Sequence, residues 1–402
     1  MLTRSCLVTK KSKIVYFHQG YWPGNAPSTT FITFNALGFY RVGYPIQLIS
    51  GKNSNLPIET ILRQKFGIEA PLRVCLVLAP RLFGSHLILQ IKVFFNLLFK
   101  REFDILIVRA LSFLPFALCL KKLKKILVLF EAHDFFTDLT IRGDVSGPRR
   151  RKRYSKIEKT YLPKLDGVIC VSEPQKQIYQ EYYPKQRFIC ALTGTKPVGS
   201  LLPRERFTYV LGYLGSFDIE KYPLDILIEA LSMVQSKRIR LLLAGGRDEK
   251  EIRTLRGIVD RFNLFGRVKI LPWQNSAEIA ALKREIDVGC AILAPTFLNK
   301  ISSPLKILEY LSAGIPVLAT KLDGIKEIIT HNRHGYLVEN RAEEWAAAID
   351  LIYSNFLRYL KFSKECLEQA KRFSWENRAK KIIEFVRKIE GEQSEQWYET
   401  TQ

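Results

Sequence analysis

Short apolar runs, each followed by a segment with helical spacing, recur along the whole chain, and this alternation restricts the fold more than any other feature. In the first half, strands are predicted over Lys13–His18, Ile46–Ser50, Arg73–Leu78, Asp104–Arg109, Lys125–Glu131 and Gly167–Ser172. Helices are predicted from Thr29, over Leu82–Lys100 and Ser112–Lys122, from Arg149 through Tyr161, and around Pro174–Tyr182. Strands that alternate with helices build a mostly parallel sheet covered on both faces. Residues 193–206, rich in Gly, Pro and Thr, read as a linker. The pattern then restarts. Strands Tyr209–Leu214, Arg240–Ala244, Val268–Leu271, Asp287–Leu293 and Pro316–Ala319 alternate with helices from Leu224 and over Glu249–Phe262, Ser276–Arg284 (with Ser276 expected as its cap) and Ser303–Leu311. A chain of 402 residues exceeds one ordinary core. The expectation is an α/β chain of two doubly wound domains, 1–200 and 201–375, whose strand C-terminal ends face a cleft where ligands bind.

The formal charge of +23 is unevenly placed. Residues 1–200 carry 31 Lys and Arg against 12 Asp and Glu, and the remainder 31 against 27. So basic a first half points to a polyanionic partner such as anionic lipid headgroups, nucleic acid or an acidic substrate, or else to a solvated basic surface. The densest run, Arg149–Arg153, has no aromatic residues interleaved and belongs to no recognised nucleic-acid module, so nucleic acid is the weaker choice. The seven cysteines form no CxxC pair, which argues against a zinc site or a disulfide framework and predicts buried, reduced thiols in a cytosolic protein. The first 13 residues lack a long apolar core, so no signal peptide is expected. Leu82–Phe99 is interrupted by His86 and Lys92, and Ile105–Leu120 by Arg109 and Pro115. Neither fits a membrane-spanning helix. The apolar basic stretch Leu82–Arg101 reads either as a buried helix or as a surface that docks on anionic lipid.

Several residues stand where chemistry is expected. Gly24 sits in a strand-to-helix loop, where a glycine admits a phosphate or sugar to the backbone, or simply makes a turn. His133 closes an apolar strand and points to the ligand edge, as a sugar-binding imidazole or a structural one; Asp134 beside it reads as a possible helix cap. Lys221 follows the first strand of the second half, placed either for phosphate charge or as a surface lysine. The segment Ser302–Val317 is the sharpest signal. Ser303 is expected to cap a helix with Pro304 in its first position, which makes an anion site of the free N–H groups. Lys306 in the first turn opposes the helix dipole and so hints at a ligand-facing role. Glu309 is set to accept two ribose hydroxyls, while Leu305, Leu308 and Leu311 form an apolar stripe and Gly314 ends the helix.

This segment resembles the C-terminal signature of glycosyltransferase family 4, the retaining sugar transferases with the two-domain, Rossmann-like GT-B fold. The resemblance is carried in order by Gly215–Lys221, Ala244-Gly245-Gly246, Arg267–Trp273, Ser303–Val317 and Asn332–Val338. It is strong over 209–390. Over 1–200 it is looser, through Gly24, Glu131–Asp134 and Val168–Ser172. It implies that Lys221 binds the donor diphosphate and that Glu309 holds the nucleotide ribose. Ser303, Pro304 and Leu305 would offer amides to the diphosphate, and Pro272 and Trp273 would flank the nucleobase. Gly245 and Ser216 fall in donor-binding loops. His133 would stand near the donor sugar and Gly24 beside the diphosphate. Phe373-Ser374-Trp375 would open a terminal helix, 376–402, that crosses back to the first domain. Two positions depart from the family pattern. Ser216 stands where an Arg is frequent, so Lys306 or Arg247 would supply that charge. Ile301 stands where a first glutamate is usual, leaving Asn299 or Lys300 for the sugar.

The resemblance implies a nucleoside diphosphate sugar as donor and no obligatory metal; docking of the basic first half and the Leu82–Arg101 stretch on anionic lipid would make the acceptor a glycan or lipid-linked sugar in cell-surface polysaccharide or glycolipid synthesis. Peripheral attachment to the inner face of the cell membrane, on an anionic surface and without nucleic acid, completes the expectation. The alternatives are a nucleotide-sugar 2-epimerase of the same fold, or a pseudo-enzyme that binds nucleotide sugar without transfer.

Overall fold

The computed structural model describes residues 12–24, 26–80, 86–100, 102–143, 149–195 and 205–400, with backbone alone beyond residue 392. The chain forms two compact units, Met1–Gly194 with Trp375–Gln402, and Thr195–Ser374.

The first unit holds strands β1 (Ile14–Trp22), β2 (Ile46–Lys52), β3 (Arg73–Val77), β4 (Ile105–Val108), β5 (Leu127–Ala132), β6 (Gly167–Cys170) and β7 (Phe188–Cys190). They form one parallel sheet ordered β3-β2-β1-β4-β5-β6-β7. The connecting helices are α1 (Pro27–Arg41), α2 (Ile58–Ile61), α3 (Leu87–Phe99), α4 (Leu114–Lys124), α5 (Arg149–Tyr161) and α6 (Glu173–Tyr182). Every residue of β4 and β6 is buried. A strand covered on both faces has no polar side to show, so it reads as an unbroken apolar run. The short β7 and α2 lie outside the predicted elements, having no such run or helical period to announce them.

The last helix, α15 (Trp375–Thr400), belongs to this first unit and packs on α1. Gly38 makes the approach possible, since a Cβ there would lie 2.4 Å from the Trp375 carbonyl oxygen. A buried ion pair then locks the helix. Glu131, wholly buried at the end of β5, receives Arg378 Nη2 of α15 at 2.9 Å, the Tyr16 hydroxyl at 2.9 Å and His133 Nε2 at 2.6 Å. Arg378 also donates to Asn35 Oδ1 and to the carbonyls of Ala191 and Leu192. A buried charge is tolerable only when it is paired and hydrogen-bonded in this way.

The second unit repeats the plan. Strands β8 (Val210–Leu214), β9 (Arg240–Gly246), β10 (Val268–Pro272), β11 (Val288–Ala291), β12 (Val317–Thr320) and β13 (Gly335–Val338) form a parallel sheet ordered β10-β9-β8-β11-β12-β13. Helices α7 (Leu224–Met233), α8 (Glu249–Arg261), α9 (Ser276–Glu285), α10 (Phe297–Lys300), α11 (Leu305–Ser312), α12 (Asp323–Lys326), α13 (Ala342–Tyr353) and α14 (Phe356–Arg372) surround it. Alternate residues of each strand feed two cores. Leu211, Tyr213, Leu241, Leu243 and Val288 pack with α7, α8 and α13, whereas Leu214, Leu242, Ala244 and Ala291 pack with α9 and α11. The fold class is therefore two Rossmann-like, parallel α/β domains.

Three local expectations are corrected. Helix α9 is capped by Asn275 in a reciprocal box with Glu278, not by Ser276, which is its first residue. Asp134 caps no helix; its carboxylate holds Arg142 and the Phe135 N–H. Cys170, Cys190, Cys290 and Cys366 are buried, but Cys119 is exposed and Cys75 half-buried. The apolar look of α4 misleads there, because the helix buries only Leu114, Ala117 and Leu120. Cys6 lies outside the described residues. Among the described residues no helix is long and apolar enough to cross a membrane.

Arg378→Ala strands the Glu131 carboxylate in the core and is expected to destabilise the first unit by about 3–5 kcal/mol. Burial raises the Glu131 pKa, but Arg378 and the His133 hydrogen bond outweigh it and hold the group down at about 2, against 4.5 for a free glutamate. A depressed folded pKa gives stability that is complete above the unfolded value and is lost as pH falls toward 2. Urea unfolding between pH 6 and 2.5 should show that acid loss in the wild type, and a flatter profile in Glu131→Gln.

Candidate active site

Both sheets reverse strand order beside their first strand, and the C-terminal ends of the strands at such a reversal are where open α/β sheets bind ligands. In the second unit those ends carry most of the sequence-predicted residues. Gly245, at the end of β9, has φ of +139°, and a Cβ on it would lie 2.1 Å from the Gly215 carbonyl oxygen. Glycine is the residue that permits this contact between the β8 and β9 loops. Next to it, Pro272 pairs with Gly246, and the Trp273 N–H donates to the Gly246 carbonyl at 2.8 Å. Pro272 and Trp273 are both exposed.

Helix α11 is tied to β8 by Tyr310, whose hydroxyl donates to the Gly212 carbonyl at 3.1 Å and accepts from the Leu214 N–H at 2.9 Å. This directs the start of α11 at Gly215. Lys306 Nζ lies 2.7 Å from the position a Cβ on Gly215 would take. It sits 3.9 Å from the centre of the Tyr213 ring and 4.4 Å from that of Tyr222. The nitrogen is enclosed and has no hydrogen-bond partner among the described residues. Burial pushes its pKa down to about 7, against a partial opposing pull from Glu309 and Cys290. Two aromatic faces steady a cation without using its hydrogens, which stay available to an anionic ligand.

Ser303 does not cap α11. Pro304 is the N-cap residue rather than the first helical one, and no side chain closes the helix start. Because the helix begins at Leu305, Ser303 stands one residue too far out to reach the first-turn amides, and its enclosed Oγ has no partner among the described residues. Leu308 and Leu311 are buried as expected, joined by Ile307 and Tyr310, while Leu305 is half-buried.

Lys221 Nζ pairs with Asp218 at 2.7 Å and is 62% exposed. Its carbonyl accepts from the Ala294 N–H and from Asn299 Nδ2, so the loop after β8 is latched to the loop after β11. Asn299 is thereby engaged as a loop tie, its amide also donating to the Ala294 carbonyl. Lys300 is exposed, and Ile301 is buried. Ser216 accepts the Asp218 N–H at its Oγ and the Tyr213 hydroxyl at its carbonyl. Arg247 is paired with Glu251 of α8. Glu309 receives Lys283 of α9 at 2.8 Å.

Gly24 and His133 belong to the first unit. Gly24 lines a hollow of about 480 Å³ at the end of β1 with His18, Gly20, Tyr21, Ser28, Thr29 and Asn53. His18 is held neutral there, its pKa lowered to about 3 chiefly by burial and then by Arg109. His133 packs edge-on against Phe31 at 4.7 Å. Burial first, then Arg109, lowers its pKa to about 4 despite the bond to Glu131. With Nε2–H assigned as donor to the Glu131 carboxylate, Nδ1 of the neutral ring is an acceptor, suited to a hydroxyl. A larger hollow of about 690 Å³, between β13 and α14, is lined by Asn332 and Tyr336 of the Asn332–Val338 motif but by none of the candidate donor-site residues.

Residues 208–355 match the family model Glycosyl transferases group 1. The second unit thus carries a glycosyl transferases group 1 domain. A D-inositol 3-phosphate glycosyltransferase of Corynebacterium urealyticum is 25% identical over 187 residues, which is 45% of this chain and 43% of that relative. The match therefore spans less than half of the relative's length. Sucrose-phosphate synthase from Thermosynechococcus elongatus shares the fold at a TM-score of 0.72 and 19% identity, over 95% of this chain and all of that one. The Anabaena protein HepE in complex with UDP and glucose does so at 0.68 and 19%, over 93% and 99%.

Sequence reasoning missed Tyr213 and Tyr222, which flank Lys306, and the Lys283 partner of Glu309. No spacing rule links such distant positions. Arg378 was equally hidden, although one signal existed: Glu131 is the sole charge in an otherwise apolar strand, which demands a buried partner.

The enclosed Lys306 leaves a measurable trace. Its folded pKa lies below the unfolded 10.5, so the unfolded chain binds the extra proton between those values and stability rises with pH above 7. From pH 7 to 9.5 the wild-type Tm should gain roughly 3 °C or more relative to Lys306→Met, measured by calorimetry.

Proposed function

We propose that this chain is a retaining glycosyltransferase of family 4. It moves a sugar from a nucleoside diphosphate sugar to a glycan or lipid-linked acceptor in cell-surface polysaccharide or glycolipid synthesis, at the cytoplasmic side of a membrane. The observation that carries this reading is the enclosed Lys306 nitrogen, aimed at Gly215 beside the uncapped start of α11. A buried cation with no protein acceptor, next to free helix N–H groups, is suited to a diphosphate. The group 1 match over the same strands, and the UDP and glucose bound by the HepE protein of the same fold, support the donor class.

In this reading the anomeric C1–O bond of the donor breaks with its electron pair passing to the diphosphate. The acceptor oxygen bonds C1 on the same face and its proton goes to the departing phosphate. Rate depends on stabilising that leaving group, and preorganised cations and amides aimed at it are the effective means. Lys306 and Lys221 supply charge where Ser216 replaces the frequent Arg, and the residues from Ser303 to Leu305 present the helix start. No metal is needed for that balance. Trp273 and Pro272 offer an exposed apolar ledge for a nucleobase. Glu309 takes the ribose hydroxyls, with Lys283 orienting its carboxylate. In the first unit, His133 Nδ1 accepts a sugar hydroxyl and Gly24 leaves its loop open to the ligand.

A panel of UDP-, GDP- and ADP-sugars, assayed for binding and turnover, tests the proposal. Wild type should bind one nucleotide series. Glu309→Ala should weaken that binding about tenfold or more, and Lys221→Ala should lower turnover about 100- to 1,000-fold with little change in the fold. Absence of binding to every sugar nucleotide by folded protein would overturn the reading.

A further inference from the structure

Helix α3 buries only one side. Leu89, Gln90, Val93 and Leu97 face the interior. On the opposite side Leu87, Ile91, Phe95 and Phe99 are 47%, 39%, 50% and 77% exposed. They recur every fourth residue, so at ~100° per residue they cover an arc of about 120°, centred opposite the buried set. A surface helix ordinarily turns polar residues outward. Here the outward side is a run of large apolar groups, and Phe95 and Phe99 stack on each other with ring centres 6.4 Å apart. Two neighbours extend the patch. Leu78, whose carbonyl accepts from Lys92 Nζ of α3, is 69% exposed, and Leu123 of α4 is 62% exposed. Contiguous exposed apolar surface of this kind marks an interaction site.

The surroundings are basic. Helix α3 packs on α4, and α4 packs on α5. The end of α4 presents Lys122 and Lys125 to solvent, and α5 presents Arg149, Arg150, Lys152, Arg153, Lys156 and Lys159. Between residues 86 and 125 the acids are Glu102 and Asp104, and both are engaged by Lys13. An apolar stripe beside a dense cationic helix is the combination that binds an anionic bilayer: the stripe enters the acyl boundary and the cations meet the headgroups. A second copy of the chain fits less well, because pairing this face with itself would bring two strongly basic surfaces together.

We propose that α3, α4 and α5 form a docking face for an anionic phospholipid bilayer, with Leu87, Ile91, Phe95 and Phe99 inserted and the cations of α5 over the headgroups. The proposal rests on the membrane-side reading above for its biological setting, but its test needs neither donor nor acceptor. The full chain is floated with vesicles of phosphatidylcholine alone, or of phosphatidylcholine with about one-third phosphatidylglycerol, at ~0.15 M salt. Binding is expected to the anionic vesicles and not to the neutral ones. Phe95→Glu/Phe99→Glu and Arg150→Glu/Arg153→Glu should each lower it about tenfold or more, with circular dichroism and sugar-nucleotide binding unchanged. Phe95→Trp should shift its emission to the blue on the anionic vesicles, reporting insertion rather than charge attraction alone. Wild type that ignores both vesicle types, or binding untouched by Phe95→Glu/Phe99→Glu, overturns the proposal. So does a concentration-dependent dimer that the same double variant dissolves, since the face would then be a self-association surface. Sugar-nucleotide binding on the same samples separates this outcome from failure of the transferase reading.

Discussion

The fully buried carboxylate of Glu131 meets its counter-charge from Arg378, 247 residues further along the chain. That one pair explains why the final helix belongs to the first unit rather than trailing from the second. Without Arg378, the charge at the end of β5 would lie unpaired in a low-dielectric core, a penalty of several kcal/mol. The same carboxylate holds His133 and Tyr16. The tautomer of His133, and hence what its free nitrogen can accept, follows from a contact made for stability.

The fold was largely legible because parallel strands buried on both faces must be apolar runs, and the glycines and prolines between them mark the turns. Strands β1, β2, β4 to β6, β8, β9, β11 and β12 announce themselves in this way, whereas the edge strands β3 and β10 are apolar runs that the fold covers only in part. What the sequence conceals is partnership. Lys306 reads as a first-turn lysine in conflict with the helix dipole, and that conflict is a real signal. Nothing in the sequence says that Tyr213 and Tyr222 flank it, because the contact depends on how β8 and α11 are tied by Tyr310. Ser303 shows the converse error. Its type and place are those of a cap, yet the helix starts one residue too late for it to serve.

Helix α3 was ambiguous for a definable reason. A segment apolar on all sides gives no period from which to read an inward side. The structure separates the two sides by what covers them: Leu89, Val93 and Leu97 are fully buried, whereas the stripe from Leu87 to Phe99 is not. Folding of the unit accounts for the first set and leaves the second without a structural purpose.

Charge economy connects these observations. Ser216, where the resemblance would place an Arg, leaves the loop after β8 without a permanent cation at that position. An arginine there would carry its charge at any pH and would need its own partners when no ligand is bound. Lys306 avoids that cost. It lies beside two tyrosine rings with its pKa lowered by burial to about 7, and a bound phosphate would favour its protonated form. In the proposed donor site the balancing charge would thus lie on a titratable lysine whose ionisation burial disfavours and an anionic ligand favours, so Ser216 alone need not imply loss of function.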